Sequence, residues 1–166
     1  MRHIFVSYSR IDGDVVDQIV ARLEQDGFKI WIDREEIKAG ELWHETVVQA
    51  IDNAYAFILM LSPNSTASDN VRREVDLAED ANKELVPVLL APVNLPANLR
   101  YQLAGIEWIE YYRDPKMKYS ELNEALQARH QEFSSGQTLE ILAMELNMGQ
   151  IKISTFESEE QKGLLN

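Results

Sequence analysis

The chain has 166 residues, no cysteine, and a formal net charge of −12 with a pI of about 4.6. That length suits one domain with a complete core and room for an appendage, and 45% hydrophobic with 27% charged residues is the balance of a globular protein. So acidic a surface repels phosphate backbones and anionic lipid, which argues against nucleic acid and membranes as partners.

No apolar run approaches the roughly 20 residues that span a bilayer. The chain passes directly from Met1-Arg2-His3 into a strand-like run, so no signal peptide is expected. With no cysteine there are no disulfides and no thiolate metal ligands, which together predict a cytoplasmic protein. His3, His44 and His130 stand far apart, so no metal site and no metal cofactor are expected.

Ile4-Phe-Val-Ser-Tyr8 reads as a buried strand, and Asp12-Gly13-Asp14 opens a helix with Asp12 or Asp14 as N-cap. Val15, Val16, Ile19, Val20 and Leu23 form that helix's apolar face, and Gly27 ends it as a C′ glycine. Phe28-Lys-Ile-Trp-Ile32 is the second strand, followed by a charged loop, Arg34 to Gly40. The next helix packs through Trp43, Val47, Ala50, Ile51 and Ala54. Ala56-Phe-Ile-Leu-Met-Leu61 is almost uninterruptedly apolar, as a central parallel strand covered on both faces should be. Ser62-Pro63 then supplies an N-cap with proline at the first helical position.

Asp69 to Lys83 repeats apolar residues at helical spacing, and Leu85 to Ala91 is the fourth strand, with Pro87 near its start. Pro92 to Gly105 reads as irregular, Ile106 to Tyr111 as a partly polar fifth strand towards an edge, and Tyr119 to Phe133 as a last helix. The strict alternation predicts a flavodoxin-like, doubly wound α/β fold. Its five-stranded parallel sheet, in the order 2-1-3-4-5, is flanked by helices. Ser134-Ser135-Gly136 reads as a break. The domain therefore covers 1–133, and 134–166 is an extension or the start of a linker to a further domain.

Glu74 stands out. At about 100° per residue it falls between Ala78 and Ala81 on the apolar arc made by Val71, Val75, Ala78 and Ala81. A carboxylate there must be paired, protonated or part of a site, because an isolated buried charge is very costly. The structural alternative is a rim acid paired with an arginine or with a helix N-terminus.

Ligands bind beyond the carboxyl ends of the strands in such sheets. The residues delivered there are Ser7 to Arg10, Asp33 to Gly40 and Ser62 to Glu74. These three segments resemble a Toll/interleukin-1 receptor (TIR) domain of bacterial type. Phe5-Val-Ser-Tyr-Ser9 is similar to that family's first box, and Asp33-Arg-Glu-Glu-Ile-Lys-Ala-Gly-Glu-Leu-Trp43 to its BB loop. Ile58 to Pro63, followed by Arg73-Glu74, is similar to its third strand and αC region.

Some members of that family are scaffolds for signalling complexes, while others cleave the nicotinamide–ribose bond of NAD+ with a glutamate on αC. The resemblance puts Glu74 at that position. It implies an NAD+ hydrolase activated by self-association through the BB loop, residues 34–42, in bacterial immune, antiviral or stress signalling. NAD+ would be substrate rather than cofactor, and other TIR or sensor domains would be further partners.

Breaking an N-glycosidic bond develops positive charge on the ribose, which one nearby carboxylate can stabilise. Nicotinamide is bound as a cationic pyridinium and leaves neutral without a general acid, so neither a second carboxylate nor a metal is needed. By the same resemblance Ser9 and Arg10 line the nucleotide site, where Arg10 would meet a phosphate or else stand as an exposed loop arginine. Tyr8, Leu42 and Trp43 offer contact surface, the two aromatics by stacking. Trp43 also falls on its helix's apolar stripe, which favours a core role. Asp33 orders the loop or caps a neighbour.

Two departures bear on the chemistry. Lys38 stands where some NAD+-cleaving members carry an acid. Asn70 stands where cyclising members carry tryptophan four residues before the glutamate, so linear ADP-ribose is the expected product. The competing reading is a non-catalytic TIR scaffold. A phosphoacceptor receiver fails, because strand three ends in Leu61-Ser62 rather than aspartate. No Gly-x-x-x-x-Gly-Lys-Ser/Thr loop supports a nucleoside triphosphatase, and no Gly-x-Gly-x-x-Gly supports a dinucleotide-binding dehydrogenase.

Overall fold

The computed structural model describes the backbone of residues 2–33 and 41–163, and the side chains of residues 2–33, 44–139 and 143–144. The chain divides into two compact units, Met1–Arg129 and His130–Asn166.

The first unit is built on four parallel strands, β1 (His3–Ser7), β2 (Ile30–Ile32), β3 (Ala54–Leu61) and β4 (Leu85–Leu89), in the order β2-β1-β3-β4. The helices are α1 (Gly13–Gln25), α2 (Glu41–Asn53), the single turn α3 (Pro63–Thr66), α4 (Asp69–Asp80), α5 (Ala97–Gln102) and α6 (Pro115–Gly163). The period-2 alternation of each strand divides the core in two. Ile4, Val6, Ala56, Ile58 and Met60 meet α1 and the start of α6, while Phe5, Phe57, Leu59 and Leu61 meet α2, α4 and α5. Phe5 stacks on Trp31 at 4.7 Å and on Phe57 at 5.1 Å, its register partners on the two neighbouring strands.

The α/β class and the strand order hold, but the fifth strand is reduced to a single parallel bridge between Val88 and Ile109. Leu89 N donates to Ile109 O at 2.8 Å and Ile109 N to Pro87 O at 2.9 Å, in the position the order requires. The cause of the shortening is local. Tyr111 N turns back onto Ile109 O at 2.8 Å, a tight three-residue turn that ends the extended run.

Pro87 sits in the middle of β4 rather than near its start. Its carbonyl faces the Ile109 side, and so would its N–H, so the missing donor costs no bond to β3. Gly27 closes α1 at φ +94°, as its C′ position requires. The region expected to be irregular contains α5, and the last helix starts four residues early because Asp114 Oδ1 accepts from Met117 N at 3.1 Å.

The second unit is helical through the expected break at Ser134-Ser135-Gly136. Ser134 and Ser135 donate to the carbonyls of His130 and Gln131 at 2.8 and 2.9 Å, which satisfies the two hydroxyls without leaving the helix. Leu139 and Met144 are exposed on this segment. Among the described residues, no helix is long and apolar enough to cross a membrane.

Phe57 is fully buried and joins the aromatic stack to the α2–α4 core. Phe57→Ala should cost about 3–5 kcal/mol in denaturant unfolding.

Candidate functional site

The alternation of β1 decides where Glu74 finds a partner. Ser7 lies two residues beyond Phe5 and so points to the same face, the one on which α4 packs. There the fully buried Ser7 Oγ donates to Glu74 Oε2 at 2.5 Å. Glu74 is half-buried at the edge of the apolar arc that Val71, Val75 and Ala78 bury.

Glu74 also lines a cleft of about 230 Å3, together with Val6, Tyr8, Ser9, Arg10, Ile11, Asp33, Ser68 and Asn70. The cleft lies beyond the C-terminal ends of β1 and β2, where the strands deliver their loops. Tyr8 Oη donates to Asp33 O at 3.2 Å, and Arg10 Nη2 donates to Asp33 Oδ2 at 3.1 Å. Arg10 remains 41% exposed and Asp33 16%, so the guanidinium stands at the solvent side of the pair. Ser68 caps α4 by accepting from Val71 N at 3.4 Å.

Burial pushes the Glu74 carboxyl up from the ordinary 4.5 to about 7. The Ser7 hydrogen bond opposes that rise, the Asp33 charge adds to it, and the Arg10 charge works against it. Asn70 and Glu74 also border a smaller pocket of about 90 Å3, lined besides by His44, Val47, Val48, Arg73 and Leu77.

Six of the residues singled out from sequence therefore meet in one cleft: Tyr8, Ser9, Arg10, Asp33, Asn70 and Glu74. Leu42 and Trp43 lie on the α2 backbone, but their side chains fall outside the described residues, as does the loop 34–40 with Lys38. Ser7 and Ser68 lie in segments that the sequence delivers to this end of the sheet, but no role is read for them there. The alternation that puts Phe5 in the α4 core would have pointed to Ser7. Among the described residues no group of three or more His, Cys, Asp or Glu side chains could hold a metal ion.

A parallel sheet of this order, with helices on both faces and an acid-bearing cleft at the strands' C-terminal ends, defines a flavodoxin-like α/β domain. A family model described as the TIR domain matches residues 4–128, and the chain belongs to that family. It is 26% identical to Toll-like receptor 6 of Bos taurus over 125 residues, which cover 70% of this chain but 16% of that receptor.

The TIR domain of the Toll-related receptor TRR-2 from Hydra magnipapillata superposes with a TM-score of 0.62 at 17% identity, covering 76% of this chain and 97% of that one. The CMP N-glycosidase BcmB of Clostridium botulinum superposes with a TM-score of 0.52, also at 17% identity, over 76% of this chain and 99% of that one. At these identities the two superpositions speak for the fold.

Glu74 titrates at about 7 when folded against 4.5 ordinarily, so between those values the folded state holds more proton than the unfolded one. Stability then falls as pH rises through that window, by up to about 3 kcal/mol at 1.36 kcal/mol per unit. Glu74→Gln removes the ionisation. Its melting temperature should exceed that of the wild type at pH 8, with the gain shrinking towards pH 4.5 in thermal scans.

Proposed function

We propose that this TIR domain hydrolyses the nicotinamide–ribose bond of NAD+, with Glu74 as the catalytic carboxylate. The observation that carries the reading is a half-buried acid, held by Ser7 and lining a cleft with Tyr8, Arg10 and Asp33. The position Glu74 takes in the family resemblance supports the same reading. The fold is also that of BcmB, a protein named for N-glycosidase activity, although that likeness is one of fold alone.

The chemistry needs little apparatus. The C1′–N bond breaks, its electron pair goes to the nicotinamide nitrogen, and neutral nicotinamide leaves. The Glu74 carboxylate stabilises the cationic ribose until water adds at C1′ and gives up a proton. Only the ionised form of Glu74 does this, which is where Ser7 contributes by opposing the rise in its pKa. In this reading Arg10, paired with Asp33, would exchange that contact for a phosphate. With Asn70 at the place of a stacking tryptophan, linear ADP-ribose and nicotinamide are the products of this reading.

In the same reading the domain works in cytoplasmic immune or stress signalling, antiviral defence included, and is activated when protomers associate through residues 34–42. Sensor or other TIR domains would bring the protomers together. Residues 34–40 and the side chains of 41–43 lie outside the described structure, so the support here is the resemblance to the BB loop. The similarity to Toll-like receptor 6 favours a second reading, a TIR module that assembles without cleaving anything. The chain spans 16% of that receptor's length, so the receptor's wider activities do not transfer to it.

Chromatography of NAD+ incubations separates the two readings. Glu74→Gln should lower nicotinamide release per folded protomer by about a hundredfold or more. Wild-type kcat/KM should climb as pH rises towards and past about 7, as the ionised carboxylate becomes the main form. Unchanged specific activity in Glu74→Gln, or no cleavage by the wild type, would leave the assembly reading.

Self-association has its own readout. Turnover per protomer should rise with protein concentration, and with it the fraction of oligomer seen in light scattering. A strictly monomeric preparation with concentration-independent turnover would contradict it.

A further inference from the structure

Two segments wall the Glu74 cleft, and both are tied to one carboxylate that lies outside it. On one side a 3-10 turn, Arg10–Asp12, presents Arg10 and Ile11 directly after Ser9. None of the turn's residues is buried and Ser9 makes no side-chain cap, so apolar packing does not fix its place. Ile11 is 79% exposed. On the other side Ser68 opens α4 and brings Asn70 and Glu74 to the cleft.

Asp12 joins them. Its Oδ2 accepts from Ser62 Oγ at 2.5 Å, and its Oδ1 accepts from Asn64 Nδ2 at 2.7 Å. Ser62 Oγ itself accepts from the backbone N–H groups of Asn64 and Ser65, both at 3.0 Å. Both lone pairs of that hydroxyl are then in use, and its one proton is committed to Asp12. Ser62 and Ser65 are buried, so their end of the link is shielded from water, while Asp12 and Asn64 are partly exposed. Ser68 N donates to Ser65 O at 3.1 Å, while Asp12 N donates to Ser9 O at 2.8 Å. An unbroken run of hydrogen bonds thus leads from Ser9 through Asp12, Ser62 and Ser65 to Ser68.

We propose that Asp12 is a positioning residue that fixes the spacing between the two walls of the Glu74 cleft, acting through Ser62 without touching substrate. Its consequence for NAD+ rests on the reading of the cleft given above, whereas the coupling of the walls does not. Asp12→Asn keeps the shape of the side chain but places an amide donor against one of the two donors it now accepts from. Ser62→Ala cuts the same link from the other end, and Ser62→Thr restores the hydroxyl with a residue that also caps helices.

The walls can be read without any nucleotide. In 15N-labelled protein, Asp12→Asn and Ser62→Ala should each shift the amide resonances of Arg10 and Ile11 on one wall and of Ser68 and Asn70 on the other. The resonances of β4 should stay in place, and Ser62→Thr should return towards the wild-type spectrum. Shifts confined to one wall would overturn the proposal, whatever the protein does to NAD+.

In turnover, both disrupting variants should raise KM for NAD+ about tenfold per folded protomer, with kcat less affected and Ser62→Thr close to wild type. A lowered melting temperature beside unchanged KM and kcat would reduce Asp12 to a stabilising contact and sink the proposal. Absence of turnover in the wild type would count instead against the NAD+ reading, and the amide shifts alone would then decide on Asp12.

Discussion

A carboxylate drawn partly out of water, with a buried serine hydroxyl as its donor, is the constraint around which this domain is arranged. The Ser7–Glu74 bond needs β1 and α4 at a fixed separation, and neither residue sets that separation. The aromatic stack of Trp31, Phe5 and Phe57 does so from below, by filling the sheet face on which α4 rests with Val71, Val75 and Ala78. Desolvating an acid is unfavourable unless hydrogen bonds replace its water. Here the carboxylate receives Ser7, while Asp33 adds repulsion and Arg10 attraction.

That arrangement separates the work of the two core layers. The layer of Ile4, Val6, Ile58 and Met60 packs against α1 and the start of α6 and holds the sheet together. The other layer ends at Ser7 and Glu74, where packing gives way to polar chemistry at the strands' C-terminal ends. A site that keeps an acid against its preference is a site bought with stability, the usual relation between a functional group and the fold that carries it.

Much of this was legible in the sequence because the signals were periodic. The apolar run of β3, the 3.6-residue spacing of α4 and the capping residues Ser62 and Gly27 each specify local geometry, and Glu74 showed itself by falling on the wrong side of its own helix. What depended on tertiary pairing was less visible. Asp12 reads as a helix N-cap and does precede α1, yet its side chain makes no cap and is taken by Ser62 and Asn64, 50 and 52 residues away. The fifth strand has the composition of an edge but keeps a single bridge, and a backbone turn at Tyr111 ends the run just beyond it. The serines at 134 and 135 look like a break because serine competes with helical backbone elsewhere. Only their bonds to the carbonyls four residues back show that the helix absorbs them.

Pro87 has a consequence for the solubility of the chain. The outward edge of β4 is where a strand from another molecule would add, and each unpaired N–H or C=O there is an invitation to do so. Pro87 contributes no donor on that edge, and its carbonyl is taken by Ile109 N. Leu89 gives its N–H to Ile109 O and receives Tyr112 N on its carbonyl. One bridge and one imino acid therefore close most of a sheet edge that would otherwise need a full strand, and intermolecular zipping at this edge finds few hooks.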